Sequence, residues 1–165
     1  MPRQGGVILA ANHQSFLDPP AVGLGLSRQV YFVARSSLFR GPLLKWWFRA
    51  QHAVPIERGT SDLAAIRLVV DILRQGNGLV LFPEGTRTQD GEMNPFRAGA
   101  GILAADLDLP VVPIRIDGLW ELKKAGKRMA RPGSVTITIG PPIRYGRATE
   151  ASEIALDLFR RVSSL

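Results

Sequence analysis

The sequence predicts an α/β fold, a single domain built on a mostly parallel sheet flanked by helices. Short apolar runs rich in β-branched residues alternate with segments of helical periodicity. Several runs are apolar throughout, as strands covered on both faces are. A chain of 165 residues, 45% hydrophobic and 21% charged, suits one domain with a real core.

The first run, Gly6-Val7-Ile8-Leu9-Ala10, enters Asn12-His13-Gln14-Ser15-Phe16-Leu17-Asp18-Pro19-Pro20. Asp18 is expected as the N-cap of a helix over residues 19–26, with Pro19 at its first position. A second strand is expected at Val30-Tyr31-Phe32-Val33. The helix after it, residues 42–50, is apolar nearly all round, with Lys45, Arg49 and His52 on one stripe. The third strand is Ala53-Val54-Pro55-Ile56. The next helix, residues 62–74, carries Leu63, Ile66, Val69 or Val70, and Leu73 at core-facing spacing. Leu79-Val80-Leu81-Phe82 is the fourth strand, followed by a helix over residues 98–107. Within it, Gly99-Ala100-Gly101-Ile102-Leu103-Ala104 matches a dinucleotide fingerprint. That match follows a loop rather than a strand and lacks the acidic partner, so it reads as close helix packing. Val111-Val112-Pro113-Ile114 and Val135-Thr136-Ile137-Thr138-Ile139 complete the strands. Ile154, Leu158 and Arg161 or Val162 trace the stripe of a last helix over residues 150–162. Sheets of this kind gather functional loops at the carboxyl ends of their strands.

With no cysteine, disulfides, cysteine nucleophiles and cysteine-built zinc sites are excluded. Two histidines argue against a multi-histidine metal site. On the reading as a whole, no metal and no bound cofactor is expected. The net charge of +7 favours anionic partners, although a composition that prefers arginine to lysine accounts for it equally. No apolar stretch approaches the ~20 residues that span a bilayer. The abrupt amino terminus fits a domain cut from a longer chain.

The chemistry concentrates at two strand exits. His13 falls in the loop after the first strand, where a polar side chain is exposed. Asp18 can approach one ring nitrogen, fix the tautomer and leave the other nitrogen to take a proton. Read alone, these residues fit a loop histidine beside a capping aspartate just as well. The fourth strand runs into Pro83-Glu84-Gly85-Thr86-Arg87. Gly85 permits a turn closed to other residues, and Arg87 offers a planar fork suited to phosphate. Glu84 can hold a hydroxyl or lock an arginine. An ordinary turn with a surface ion pair is the other reading. Repetition weakens it, because Arg35, Arg58, Arg87 and Arg97 all lie at or just beyond strand exits and outline an anion basket.

Asn12-His13-Gln14-Ser15-Phe16-Leu17-Asp18 resembles the histidine–four residues–aspartate signature of the glycerolipid acyltransferases, a family typified by 1-acylglycerol-3-phosphate acyltransferase. Phe82-Pro83-Glu84-Gly85-Thr86-Arg87 is similar to the family's second hallmark. Val54-Pro55-Ile56-Glu57-Arg58 resembles its segment ending in a substrate-binding arginine, and Val111-Val112-Pro113-Ile114 its proline-bearing strand. The resemblance implies a glycerol-phosphate acyltransferase-like fold and direct transfer of an acyl chain from acyl-CoA or acyl carrier protein to a lysophospholipid hydroxyl. The acceptor it implies first is 1-acylglycerol-3-phosphate. His13 is then the base and Asp18 its orienter, with Arg58, Glu84, Gly85 and Arg87 binding the acceptor. Thr86 lies within the same block, and Arg35 and Arg97 join the anion-binding set. Direct transfer agrees with the missing cysteine and the missing Gly-x-Ser-x-Gly elbow. Arg35 and Arg97 stand where many family members carry lysine, which leaves the headgroup open.

The helix over residues 42–50 sets Trp46, Trp47 and Phe48 beside Lys45 and Arg49, the chemistry of an interfacial anchor. A core helix with a solvated basic stripe is the alternative. Lys123-Lys124-Ala125-Gly126-Lys127-Arg128 is a basic cluster of the kind usual in solvated loops. The expected setting is peripheral, on the cytoplasmic face of a membrane carrying acidic lipids. The rival reading is a catalytically silent basic module binding lipid or nucleic acid. A paired His13 and Asp18 has no use in such a module, so nucleic acid is not an expected partner. A thioester hydrolase on the same scaffold is a third.

Overall fold

The computed structural model describes residues 1–56, 63–125 and 133–165. In chain order the elements are β1 (Val7–Ala11), α1 (Asp18–Leu24), β2 (Val30–Arg35), a 3-10 turn (Ser36–Phe39), α2 (Pro42–Ala50), β3 (Ala53–Ile56), α3 (Leu63–Arg74), β4 (Gly78–Leu81), α4 (Gly99–Leu107), β5 (Val111–Asp117), α5 (Leu119–Ala125), β6 (Thr136–Ile139) and α6 (Ala151–Ser163). The strands form one sheet in the order β3-β2-β4-β1-β5-β6. The first five run parallel, and β6 pairs antiparallel with β5.

β1 is central, and all five of its residues are fully buried. Successive strand side chains point to opposite faces, so β1 feeds two cores. Val7, Leu9 and Ala11 join Val22, Phe32, Val80, Ile114 and Ile116 on one face. Ile8 and Ala10 join Val69, Leu73, Ala104, Val111, Ile154 and Leu158 on the other. α1 and α2 cover the first face, and α3, α4 and α6 the second. The connection from β1 therefore crosses one face while that from β4, its neighbour, crosses the other. The carboxyl ends of β1 and β4 form a topological switch point, where open α/β sheets place their ligands.

Four expectations change. The first helix begins at Asp18, with Leu17 in the cap position, and Asp18 makes no forward cap. Leu63 and Ile66 are exposed rather than core, while Ala65, Val69, Ile72 and Leu73 turn inward. His52 leaves the basic stripe: it closes α2 with φ +58° and meets Tyr31 edge-on at 5.4 Å. Lys123 and Lys124 belong to α5 rather than a loop, and residues 126–128 of that cluster lie outside the described residues. The Gly99–Ala104 segment packs closely, as expected. A methyl group at Gly101 would sit 2.7 Å from the carbonyl oxygen of Ala151, so glycine is what lets α4 approach α6.

Candidate active site

The loop leaving β1 is fixed before its histidine begins. Buried Asn12 donates from Nδ2 to the Ile116 carbonyl at 2.9 Å and accepts from the Ile116 N–H at 2.7 Å. One side chain thus continues the β1–β5 pairing beyond the last strand residue. His13 then donates its backbone N–H to Glu84 Oε1 at 2.6 Å, and its carbonyl accepts from the Thr88 N–H at 2.8 Å. The loops after β1 and β4 are tied together at the switch point.

The imidazole is held in two directions. Its Nδ1 lies 2.6 Å from Asp18 Oδ2, and its face stacks on Phe82 at 4.2 Å with 20° between the planes. The same Asp18 oxygen accepts from the N–H groups of Gln14 at 2.7 Å and Ser15 at 2.9 Å. An oxygen already accepting from two backbone donors acts as acceptor toward the ring too, so the neutral tautomer this contact selects has its proton on Nδ1 and its lone pair on Nε2. The Asp18 side chain is wholly buried, and its other oxygen has no partner among the described residues. The His13 side chain remains 18% exposed. Asp18 therefore folds back as an orienter where a forward cap was expected.

Glu84 is buried, and both its oxygens accept from the protein itself. Oε1 takes the His13 N–H, while Oε2 takes the backbone N–H of Asn94 at 2.8 Å and its Nδ2 at 2.9 Å. It clamps two loops rather than locking an arginine. Gly85, with φ +71°, completes a turn closed by its N–H to the Phe82 carbonyl at 2.9 Å. A methyl group at Gly85 would lie 3.0 Å from the Arg97 guanidinium carbon, so that cation rests on the glycine backbone. The Arg97 N–H donates to the Pro83 carbonyl at 2.9 Å, which fixes the approach. Thr86, Arg87 and Arg97 are exposed. So is Arg35, which the β2–β4 register, extended from Phe32–Val80, sets level with Pro83. Arg58 lies outside the described residues. His13, Asp18 and Glu84 thus form one hydrogen-bonded unit, with Gly85 and Arg97 in contact beside it.

Phe82 also lines an apolar groove of about 460 Å³ on the opposite face of the sheet, walled by Val33, Ile66, Val69, Leu81, Ile102 and Leu103 and capped by Arg97. The exposure of Ile66 follows from this, since its helical spacing serves a groove wall instead of a core. The sequence carried no sign of Asn94 or Thr88 as loop clamps, and Asn12 lay in the motif without an assigned role.

On α2, Leu43 is 74%, Trp46 65% and Trp47 46% exposed, and Lys45 and Arg49 are exposed as well. Only Phe48 turns inward, against Phe39 at 5.2 Å. The core reading of this helix is thereby excluded. Among the described residues no helix is long and apolar enough to cross a membrane.

The hydrogen-bonded His13 and Asp18 stand at the switch point of an α/β sheet, and both the sequence and the fold match known proteins. Residues 1–117 match the Acyltransferase family model, and the chain belongs to that family. It is 32% identical over 142 residues to the chloroplastic 1-acyl-sn-glycerol-3-phosphate acyltransferase of Brassica napus, covering 84% of this chain and 41% of that protein. Identity to the Bacillus subtilis 1-acyl-sn-glycerol-3-phosphate acyltransferase is 27% over 144 residues, covering 87% and 69%. The crystal structure of the 1-acyl-sn-glycerophosphate acyltransferase PlsC from Thermotoga maritima superposes with a TM-score of 0.79 at 29% identity. That match covers 99% of this chain and 67% of PlsC. The chain spans about two fifths of the length of the first plant and algal relatives it matches, at 41%, 40% and 41%.

Proposed function

We propose that this chain transfers a fatty acyl group from a thioester, acyl-CoA or acyl carrier protein, to the free hydroxyl of a lysophospholipid, with 1-acylglycerol-3-phosphate the first candidate acceptor. The observation that carries the reading is the 2.6 Å contact between His13 Nδ1 and Asp18 Oδ2, which engages one ring nitrogen and leaves Nε2 for the acceptor. Nε2 takes the proton of the acceptor hydroxyl as its oxygen bonds to the thioester carbonyl carbon. Collapse of the tetrahedral intermediate breaks the C–S bond, and the imidazolium returns its proton to the leaving thiolate. Asp18 steadies the imidazolium between these steps. Both substrates are consumed and the enzyme is restored.

The groove behind Phe82 has the apolar walls and size to take an acyl chain, while exposed Arg35, Arg87 and Arg97 offer forks to phosphate. Arg58 belongs to the same proposed set, as do Glu84, Gly85 and Thr86 through the turn they build. α2 supplies the membrane contact through Trp46, Trp47, Lys45 and Arg49, with the domain peripheral on the face that holds the thioester pool. Purified protein supplied with labelled palmitoyl-CoA and a panel of lysophospholipids tests this. Labelled phosphatidic acid as the main product supports it. Free palmitate alone would make the chain a hydrolase, and no turnover of any acceptor would make it a binding module.

A further inference from the structure

Between His13 and Asp18 the loop turns two apolar side chains outward. Phe16 is 71% exposed and Leu17 is also exposed, although their neighbours Ser15 and Asp18 are buried. The loop's own hydrogen bonds hold them there, since Asp18 Oδ2 takes the N–H groups on their amino-terminal side and Leu17 N–H bonds Ser15 Oγ. Their position in the fold extends a surface already described. Ala21 and Val22 of α1 share one core cluster with Phe39 and with Phe48 of α2, so both helices lie on one face of the sheet. Phe16 follows the carboxyl end of β1, while exposed Leu38 and the first turn of α2, with Leu43, follow the carboxyl end of β2. One strand, β4, separates β1 from β2, so the two exits are roughly 10 Å apart.

We infer that Phe16 and Leu17 belong, with Leu38, Leu43, Trp46 and Trp47, to one rim that enters an anionic bilayer, so that the catalytic loop itself touches the lipid surface. This rests on the membrane contact proposed for α2. The occupant follows from charge: Lys45 and Arg49 are exposed on the same helix as the apolar residues, and the chain carries a net charge of +7. An acceptor need not leave the bilayer on this geometry, because His13 stands three residues from the inserted Phe16.

The chain has no cysteine, so single nitroxide labels can be placed cleanly at Phe16→Cys, Trp46→Cys and Leu156→Cys, the last exposed on α6 behind the opposite face. Vesicles of phosphatidylcholine with phosphatidylglycerol are the probe, and collision with oxygen is compared with collision with a water-soluble nickel chelate. Labels at 16 and 46 should both favour oxygen on the vesicles, while 156 stays aqueous. Phe16→Ser should weaken vesicle partition roughly tenfold and Phe16→Leu should recover most of the loss. If 46 enters the bilayer and 16 remains in water, this inference fails while the peripheral reading stands. If neither enters, both fail. Immersion of 156, or broadening at 16 from self-association without vesicles, would also overturn it.

Discussion

Glu84→Gln is nearly isosteric, yet the hydrogen-bond geometry makes it a severe change. Oε1 accepts from the His13 N–H at 2.6 Å, and Oε2 accepts from two nitrogens of Asn94 at 2.8 and 2.9 Å. A glutamine has one oxygen, so its NH2 must face donors on one side or the other. Rotating the Asn94 amide relieves its Nδ2 contact, but the Asn94 backbone N–H cannot turn away. A buried donor left unpaired costs about 1–3 kcal/mol. For a domain of this size a loss of ~2 kcal/mol lowers the melting temperature by roughly 4–8 °C. The arrangement that keeps Asn94 satisfied pushes the His13 backbone outward, and a misplacement near 1 Å costs on the order of 100-fold in rate. Thermal melts and steady-state kinetics on lysophosphatidate read both effects, with kcat falling more than the acceptor KM rises. Asn94→Ala keeps the backbone bond and should be milder on both counts. A Glu84→Gln variant with the parent's melting temperature and kcat would refute the clamp.

Other expectations follow from neighbouring geometry. Gly85→Ala places a side chain at φ +71° and against the Arg97 guanidinium, so denaturant melts should show a loss of about 1–2 kcal/mol. Its acceptor KM should rise as Arg97 is displaced, and an unchanged KM would separate Arg97 from acceptor binding. Alanine at Arg58 or Arg87 should raise the acceptor KM far more than the donor KM, each charged hydrogen bond being worth about 1.5–3 kcal/mol. Equal effects on both substrates would contradict phosphate binding. Burial and the hydrogen bond to Asp157 at 2.7 Å push the Tyr145 hydroxyl above its ordinary range. The neutral phenol is the form the fold favours, so its stabilisation is whole below pH ~10 and declines as pH rises through the raised value. Tyr145→Phe should therefore be less stable than the parent at neutral pH and lose less stability above pH ~10. Parallel stability profiles for the two proteins would contradict this.

The strands were legible because a centrally buried strand has no polar face to show, and β1 is apolar and fully buried throughout. Periodicity located α3 but could not separate Leu73, which faces the core, from Ile66, which walls a groove, because both are apolar and two turns apart. For α2 it left interface and core open, and the exposure of Trp46 and Trp47 shows only that they are not core. Asp18 before two prolines reads as a cap. The same carboxylate instead turned back to the N–H groups of Gln14 and Ser15, a competing local choice available to aspartate at a loop–helix boundary. Asp18 and His13 stood close enough in sequence for their pairing to be anticipated. Glu84 meets His13 across seventy-one residues and Asn94 across ten, and nothing local marks a carboxylate that will be buried by partners so distant.

The central claim is that His13, oriented by Asp18, is the base for acyl transfer to a lysophospholipid hydroxyl. Single-turnover transfer of labelled palmitate from palmitoyl-CoA to 1-acylglycerol-3-phosphate, at saturating concentrations of both, tests it most directly in the parent and in His13→Ala. General base catalysis contributes ~100–10,000-fold, and the variant should lose a factor in that range. Circular dichroism should show it folded, since the His13 side chain lies outside the two buried core clusters. A folded His13→Ala protein that forms phosphatidic acid at near the parent rate would contradict the account.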